Sequence, residues 1–208
     1  MIARPSLHNT ILAHAAELFH QKGIRSVSMD ELANVVGVSK KTIYQHIENK
    51  AQLVEETMKY ELAKDQRMCE EISSRKLNSI QEMFEIGKFI SQHIRSINPI
   101  LLSEIQKYYK KTWAIFAEFK FSFIKQIIYE NMKRGVEEGL YRKDMNIQII
   151  CLLYLASIDV ILHPQYFPKR NFSLNKVYME NLSYHVYGIA TKKGIEVFEN
   201  CLKNSNEE

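Results

Sequence analysis

Apolar residues recur at helical spacing along nearly the whole chain, and alternation of the strand type is almost absent. Residues 6–22 show the pattern most clearly, because their apolar side chains fall on one face of a helix. These are Leu7, Ile11, Leu12, Ala15, Ala16, Leu18 and Phe19. Gly23 ends this stretch, since glycine suits the left-handed position after a helix end. The spacing therefore predicts an all-α protein.

Two shorter helices follow, and a serine stands where each one begins. Ser28 and Glu31 have the spacing of a capping box, in which the serine hydroxyl accepts from the Glu31 amide and the glutamate side chain reaches back. This helix ends at Gly37, and Ser39 starts a third helix of about two turns that continues through Ile47.

A fourth, long helix is predicted to begin after Asn49 and to run to about Arg75. Proline and glycine break the chain beyond it, as in HPQYFPKRN at 163–171, because proline cannot continue a helix. The remaining periodic segments are roughly 77–97, 99–107, 108–135, 145–162, 174–190 and 195–203.

Gly37 and Val38 join the second and third helices, which is the layout of a helix-turn-helix unit. In such a unit the N-terminal residues of the second helix of the pair enter the major groove of DNA. Ile43 and Ile47 are four residues apart and give this helix its inward face. The outward side then carries Lys40, Lys41, Thr42, Tyr44, Gln45 and His46.

We expect nine residues to contact DNA, and they are Ser28, Ser39, Lys40, Lys41, Thr42, Tyr44, Gln45, His46 and Lys50. The serines stand at helix N-termini, where free amides and the helix dipole attract a phosphate. Phosphate contacts are assigned to Ser28, Lys40, Tyr44 and Lys50. Base readout is assigned to Lys41, Thr42 and Gln45. His46 either contacts phosphate or packs, and Arg4 can reach DNA from an N-terminal arm. Taken alone, the lysines would read as solvated surface residues.

Residues 7–54 resemble the DNA-binding domain of the TetR family of transcriptional regulators. The motifs that carry the resemblance are F-x-x-K-G, S-x-x-E-L-A, G-V-S-K-x-T-x-Y-x-H and N-K-x-x-L, in this order. The family usually has phenylalanine at the position of Ile47, and an apolar isoleucine should still pack there. Residues 134–146 are also similar to a family segment that leaves one helix and enters the next.

The resemblance implies an all-α homodimer whose residues 1–50 form a helix-turn-helix head and whose residues 51–208 form a helical ligand-binding and dimerisation body. Such a protein binds a palindromic operator in double-stranded DNA and is usually released from it by a ligand. A small apolar or amphipathic ligand is expected, since the segment 108–134 carries aromatics on several faces. The expected pocket residues are Met83, Phe84, His93, Trp113 and Phe116. The alternative is that these side chains form the core.

The apolar segments 145–162 and 174–190 are the expected dimer surface. The expected contacts are Leu152, Leu155, Ala156, Ile158, Leu174, Val177, Tyr178, Leu182 and Val186. The alternative is that these residues belong to the core of a single chain.

Composition adds little to this interpretation. The net charge is +4, and residues 1–50 carry six Lys or Arg against four Asp or Glu, so a DNA footprint must come from local placement. Three separated cysteines without a CxxC pair indicate neither a zinc site nor a disulfide framework, and no metal or cofactor is expected. The most apolar stretch, 147–163, is short for a bilayer span, and the N-terminus lacks a signal-peptide pattern. We therefore expect a cytoplasmic protein without a membrane partner.

Two other classes compete with a ligand-controlled repressor. An enzyme is disfavoured, because the chain has no P-loop, no GxGxxG after a strand, no HExxH and no GxSxG. Asp159 and His163, four apart on one helix face, are at most half a metal site. An architectural or division factor would have the same head but no inducer.

Overall fold

The structure is a computed structural model that describes residues 6–96, 99–163, 165–168 and 170–206. Within these ranges it is helical apart from turns and an isolated antiparallel bridge between Tyr141 and Ala190, which confirms the all-α prediction. The helices are α1 (Leu7–Lys22), α2 (Met29–Val36), α3 (Lys40–His46), α4 (Lys50–Ser73), α5 (Ser79–Ser96), α6 (Pro99–Tyr108), α7 (Lys110–Phe119), α8 (Lys125–Glu137), α9 (Ile147–Leu162), α10 (Leu174–Ile189) and α11 (Lys192–Asn206).

The segment 108–135 departs from its prediction as one helix. Regular helix pauses at Tyr109, and a π-helical turn, Lys120–Ile124, separates α7 from α8. The extra residue of a π-turn shifts the faces of the helix that follows it. Apolar spacing alone did not reveal the turn, because aromatic residues occur on several faces of this segment.

The chain divides into two compact units. The first contains Met1–Arg67 and Ser96–Phe119, and the second contains Met68–Arg95 and Lys120–Glu208. The predicted boundary at residue 50 therefore falls inside the first unit, which also includes α6 and α7.

The core of the first unit brings α1, α2 and α3 together with the beginning of α4 and with α6. Ile11, Leu32, Ile43 and Ile47 are each fully buried in it. Ile47 thus fills its place in the core although the related family usually has phenylalanine there. This packing fixes the face that α3 turns toward solvent.

The larger core of the second unit joins α5, α8, α9, α10 and α11. A buried polar network crosses it, since the Glu82 carboxylate accepts from Asn131 at 2.7 Å and from Arg134. The Asn131 amide also donates to the Ser79 carbonyl at 2.8 Å, and the Tyr141 hydroxyl donates to the Asn131 side chain at 3.1 Å. These bonds satisfy polar groups that would otherwise oppose burial.

Among the described residues, we find no helix with the length and apolar character that a bilayer crossing requires.

Candidate nucleic-acid interface

Serine side chains cap both helices of the helix-turn-helix unit. The Ser28 hydroxyl accepts from the Glu31 amide at 3.0 Å, and the Ser39 hydroxyl accepts from the Thr42 amide at 3.0 Å. The two hydroxyls of Ser39 and Thr42 lie 2.8 Å apart and share a hydrogen bond. Between the helices, Gly37 adopts the left-handed conformation with φ +77° and ends α2. The sequence pattern of caps and turn is confirmed at these positions.

Two surface ion pairs join α2 to its neighbouring helices α1 and α3. Glu31 accepts from Lys22, and this bond, together with the Lys22 charge and the backbone hydrogen bond from Ser28, holds the pKa of the Glu31 carboxyl below its ordinary value. Lys40 donates to Asp30 at 2.8 Å, which raises the pKa of the Lys40 ammonium. The ammonium therefore stays charged, as a phosphate contact requires.

The solvent face of α3 is defined by the burial of its opposite side. Lys41, Gln45 and His46 are exposed, and the Tyr44 side chain is 45% exposed although it is large and aromatic. Thr42 is half-buried, in keeping with its bond to Ser39. The His46 ring lies 6.1 Å from that of His8 on α1, and His8 pairs with Glu56 at 2.8 Å.

Lys50 has a more enclosed position than a simple phosphate contact implies. Its ammonium donates to the carbonyl of Val27, in the loop before α2, and the side chain is half-buried. Burial lowers the pKa of this ammonium, and the Glu104 charge opposes the shift. The sequence contained no signal for this bond, because the two residues are 23 positions apart.

Residues 11–57 match the family described as "Bacterial regulatory proteins, tetR family". The HTH-type transcriptional regulator YvaF of Bacillus subtilis (strain 168) is 28% identical to the chain over 171 residues, which cover 80% of the chain and 87% of YvaF. The chain therefore carries an N-terminal DNA-binding domain of the TetR family. It is a DNA-binding transcriptional regulator, and all nine residues expected at DNA lie within the matched range.

Two further proteins resemble this regulator along most of its length. The HTH-type transcriptional repressor KstR2 of Mycobacterium tuberculosis (strain H37Rv) is 20% identical over 193 residues, covering 91% of the chain and 96% of KstR2. The structure of FadR from Bacillus subtilis in complex with stearoyl-CoA aligns with a TM-score of 0.65 at 15% identity, covering 86% of the chain and 98% of FadR. The resemblance to FadR shows the shared fold.

The residues expected at a ligand pocket are distributed over both compact units. Met83 and Phe84 are buried in the core of the second unit, where the Phe84 ring packs edge-on against Phe198 with centroids 5.9 Å apart. The His93 ring lies 6.1 Å from that of Phe89. In the first unit, Trp113 packs against the core and its ring centroid is 5.6 Å from that of Phe116. Their role as pocket residues stays a prediction.

Most of the side chains expected at a dimer surface are buried within the chain. Leu155, Leu174, Tyr178, Leu182 and Val186 lie in the cores of the second unit. Their role as dimer contacts stays a prediction. Ile158 and Val177 are half-buried, whereas Leu152 and Ala156 are exposed. Helical spacing identified apolar residues on α9 and α10 but did not separate their inner and outer faces.

The apolar face that α9 and α10 leave exposed consists of other residues together with Leu152 and Ala156. We call it the α9–α10 face, and it comprises Ile149, Leu152, Leu153, Ala156, Val160, Tyr184 and Tyr187. Leu153 is 62% exposed and Tyr184 is 83% exposed. The α9 residues of this face recur at helical spacing and so share one side of the helix. An exposed apolar side of this kind marks an interaction surface.

Asp159 and His163 have separate partners. Both carboxylate oxygens of Asp159 accept from the Lys120 ammonium at 2.6 Å, and the His163 ring lies 5.3 Å from that of Tyr166. An ion pair thus occupies the carboxylate that was considered as half of a metal site. The expected contact by Arg4 lies outside the described residues.

Proposed function

We propose that the regulator is a homodimeric repressor that places α3 of each protomer in successive major grooves of a palindromic operator. The observation that carries this proposal is the exposure of Lys41, Tyr44 and Gln45 on a helix whose Ile43 and Ile47 are fully buried. The core thus holds α3 in one rotational setting, which base readout requires. The resemblance to the repressor KstR2 supports repression rather than activation of transcription.

Phosphate contacts by Ser28, Lys40, Tyr44 and Lys50 set the affinity in this proposal. Ser28 and Ser39 keep their hydroxyls on helix amides, so each helix N-terminus can bind a phosphate through the cap and the amides beside it. Lys40 gives up its exposed ion pair with Asp30 when it contacts a phosphate. The loss of that ion pair costs little free energy, because exposed ion pairs contribute little to stability. Lys50 has three donors, and the Val27 carbonyl accepts from one of them.

Lys41, Thr42 and Gln45 read base edges, and the Gln45 amide has the donor and acceptor that adenine requires in the major groove. His46 lies at the C-terminal end of α3 and is exposed, which suits a backbone contact better than packing. The division into phosphate and base contacts predicts different effects of substitution at the two sets.

Dimerisation through the α9–α10 face supplies the second head. A two-fold axis through this face would bring the same apolar residues of both protomers together, as symmetric dimers require. The two α3 helices must then lie about 34–36 Å apart to reach successive major grooves of B-DNA.

An amphipathic small molecule releases the DNA in this proposal. Its support is the FadR structure with stearoyl-CoA, whose fold the chain shares over 86% of its length. A ligand that binds the DNA-free arrangement more tightly lowers operator affinity by linkage between the two sites.

Transcription in vitro from the promoter upstream of the regulator's gene tests the proposal. The wild-type protein should reduce transcript, and Gln45→Ala or Lys41→Ala should remove the effect. Lys193→Ala, on α11, is the matched control and should repress like wild type. Equal binding to every duplex, without promoter-specific repression, would favour the architectural alternative.

Release from that promoter duplex tests the ligand. Stearoyl-CoA should dissociate the complex and coenzyme A should not, because the apolar tail supplies most of the binding free energy of such a ligand. A ketosteroid serves as the second apolar probe, because the solved structure of KstR2 is described as that of a ketosteroid transcriptional regulator. A complex that resists both probes at saturating concentrations would contradict control by an amphipathic ligand of these classes.

A further inference from the structure

Two charged side chains hold the loop between α1 and α2 from outside. Oε2 of Glu104, on α6, accepts from the Ile24 amide at 2.7 Å and from the Arg25 amide at 3.2 Å. The Lys50 ammonium, at the start of α4, donates to the Val27 carbonyl. All of these residues lie in the first unit. We call Glu104 and Lys50, with residues 23–27 between them, the loop clasp.

The carboxylate reaches the loop because residue 23 is glycine. Gly23 has φ +78°, and a Cβ placed there would lie 3.2 Å from Oε2 of Glu104. Ile24 is fully buried and Val27 is 2% exposed, both in one cluster with Leu101 and Ile105 of α6. A buried amide needs an acceptor, and Glu104 provides a charged one.

A second contact joins the same loop to α6. The Arg25 guanidinium lies over the Tyr108 ring at 5.1 Å from its centroid, a favourable cation–π geometry. Glu104 and Tyr108 are four residues apart and so lie on the same face of α6. The loop thus has both a backbone and a side-chain attachment to one helix face.

The position of the loop determines the position of a DNA contact. Val27 directly precedes Ser28, which caps α2 and stands where a phosphate is expected. We propose that Glu104 is a positioning residue for DNA binding, which holds residues 23–27 so that the N-terminus of α2 meets its phosphate. This inference rests on the proposed function, because it needs the head to bind an operator.

Three variants of the full-length protein test the role of Glu104. Glu104→Ala removes the acceptor, and Glu104→Gln keeps an acceptor oxygen without the charge. The matched control is Glu55→Ala, because Glu55 accepts from Lys59 at 2.6 Å and pairs with Lys111 at 2.9 Å, joining α4 to α7 in the same unit without contacting the loop.

Two quantities are measured for each variant. One is the affinity for the duplex that wild type selects from a random-sequence library, measured well below the melting temperature of each variant. The other is hydrogen exchange at the Ile24 and Arg25 amides, measured by NMR at the same temperature. A purely structural role would lower the melting temperature and leave the affinity of the folded protein unchanged.

Glu104→Ala should speed exchange at both amides and weaken binding to the selected duplex roughly ten-fold, because DNA binding must then also restore the position of the loop that the lost hydrogen bond held. Glu104→Gln should recover most of the affinity, and Glu55→Ala should match wild type in both quantities. If Glu104→Ala does not fold, Glu104→Asp, with its carboxylate one methylene farther from the amides, should give smaller changes in the same directions.

Faster exchange with an unchanged affinity for the selected duplex would overturn the positioning role, and unchanged exchange would overturn the loop clasp itself. A wild-type protein that selects no duplex would overturn the proposed function, and this inference with it. The wild-type selection thus distinguishes the failure of the proposed function from the failure of the role of Glu104.

Discussion

Lys41, Tyr44 and Gln45 owe their position on the surface to two buried isoleucines. Ile43 of α3 and Ile47, which ends it, enter the core completely, so the opposite side of α3 faces solvent. This could be predicted, because residues four apart share a helix face. The hydrogen bond from Lys50 to Val27 could not be predicted. Its acceptor is a backbone carbonyl 23 positions away, and every residue has such a carbonyl.

At Tyr44, removal of the hydroxyl tests the assignment to phosphate. Tyr44→Phe should weaken binding to every duplex about equally, by roughly ten-fold or more, because one hydrogen bond to a charged phosphate is lost. Competition titrations with operator variants measure the effect. Tyr166→Phe, in the loop after α9, is the control, since Tyr166 is also an exposed tyrosine, and it should bind like wild type. A changed base preference in Tyr44→Phe would contradict the phosphate role.

His185 is a buried group whose ionisation opposes folding. It is 8% exposed, its ring stacks on Tyr154 at 4.0 Å, and its Nε2 has no hydrogen-bond partner among the described residues. Burial lowers the pKa of His185 to about 4 from an ordinary value of 6.5. The unfolded chain therefore binds a proton at a higher pH than the folded chain does.

The free energy of unfolding should consequently fall as the pH drops from about 6.5 to about 4. Below that range the protonation of His185 should cause no further loss. The loss of unfolding free energy that is due to His185 is about 3 kcal/mol in total. Urea unfolding of wild type and His185→Phe at pH 7 and pH 4, at one protein concentration, isolates this share, because phenylalanine keeps the stacking and cannot ionise. Equal losses in the two proteins would contradict the assignment.

At the scale of elements, the caps and the turn of the helix-turn-helix unit are where sequence and structure agree best. Ser28, Gly37 and Ser39 act through bonds to residues at most four positions away, so their roles are visible in the sequence. The π-turn at 120–124 and the inner face of α10 depend on packing between distant segments. Local spacing therefore located α9 and α10 but did not show which of their apolar residues are buried within the chain.

Gly37 offers a test of the turn itself. Gly37→Ala should destabilise the protein by about 1 kcal/mol, because φ +77° is unfavourable for a side chain, while nothing lies within 4 Å of the added methyl group. Urea unfolding at fixed protein concentration measures the change. Gly188→Ala is the control, since this helical glycine also has open space around it and has no positive φ; it should be neutral or stabilising. Equal effects of both substitutions would refute the backbone explanation.

At the scale of the whole molecule, the proposed operator binding needs two linked heads. Leu153→Glu places a charge in the middle of the α9–α10 face and should convert the dimer to a monomer, as sedimentation would show. Operator affinity should fall more than ten-fold, because the second head then no longer binds as part of the same complex. Lys193→Glu, a change of charge on α11, should remain dimeric. A dimeric Leu153→Glu protein would place the interface elsewhere.

The whole-molecule function was predictable from the sequence only at the head. Motifs within residues 7–54 are short, ordered and close in sequence, whereas apolar side chains of the body satisfy core, pocket and interface equally well. Net charge contributes little, because Asp30 and Glu31 stand beside Lys40 and Lys22 in the head itself.

The most direct test of operator recognition is binding of the purified protein to DNA upstream of its own gene, with a scrambled duplex as competitor and several salt concentrations. We predict tight, competitor-resistant binding. The logarithm of the association constant should fall with the logarithm of salt concentration at a slope of about −4, because Lys40 and Lys50 of two protomers neutralise phosphates. Binding no tighter than to the scrambled duplex would contradict operator recognition at this site and favour an architectural role.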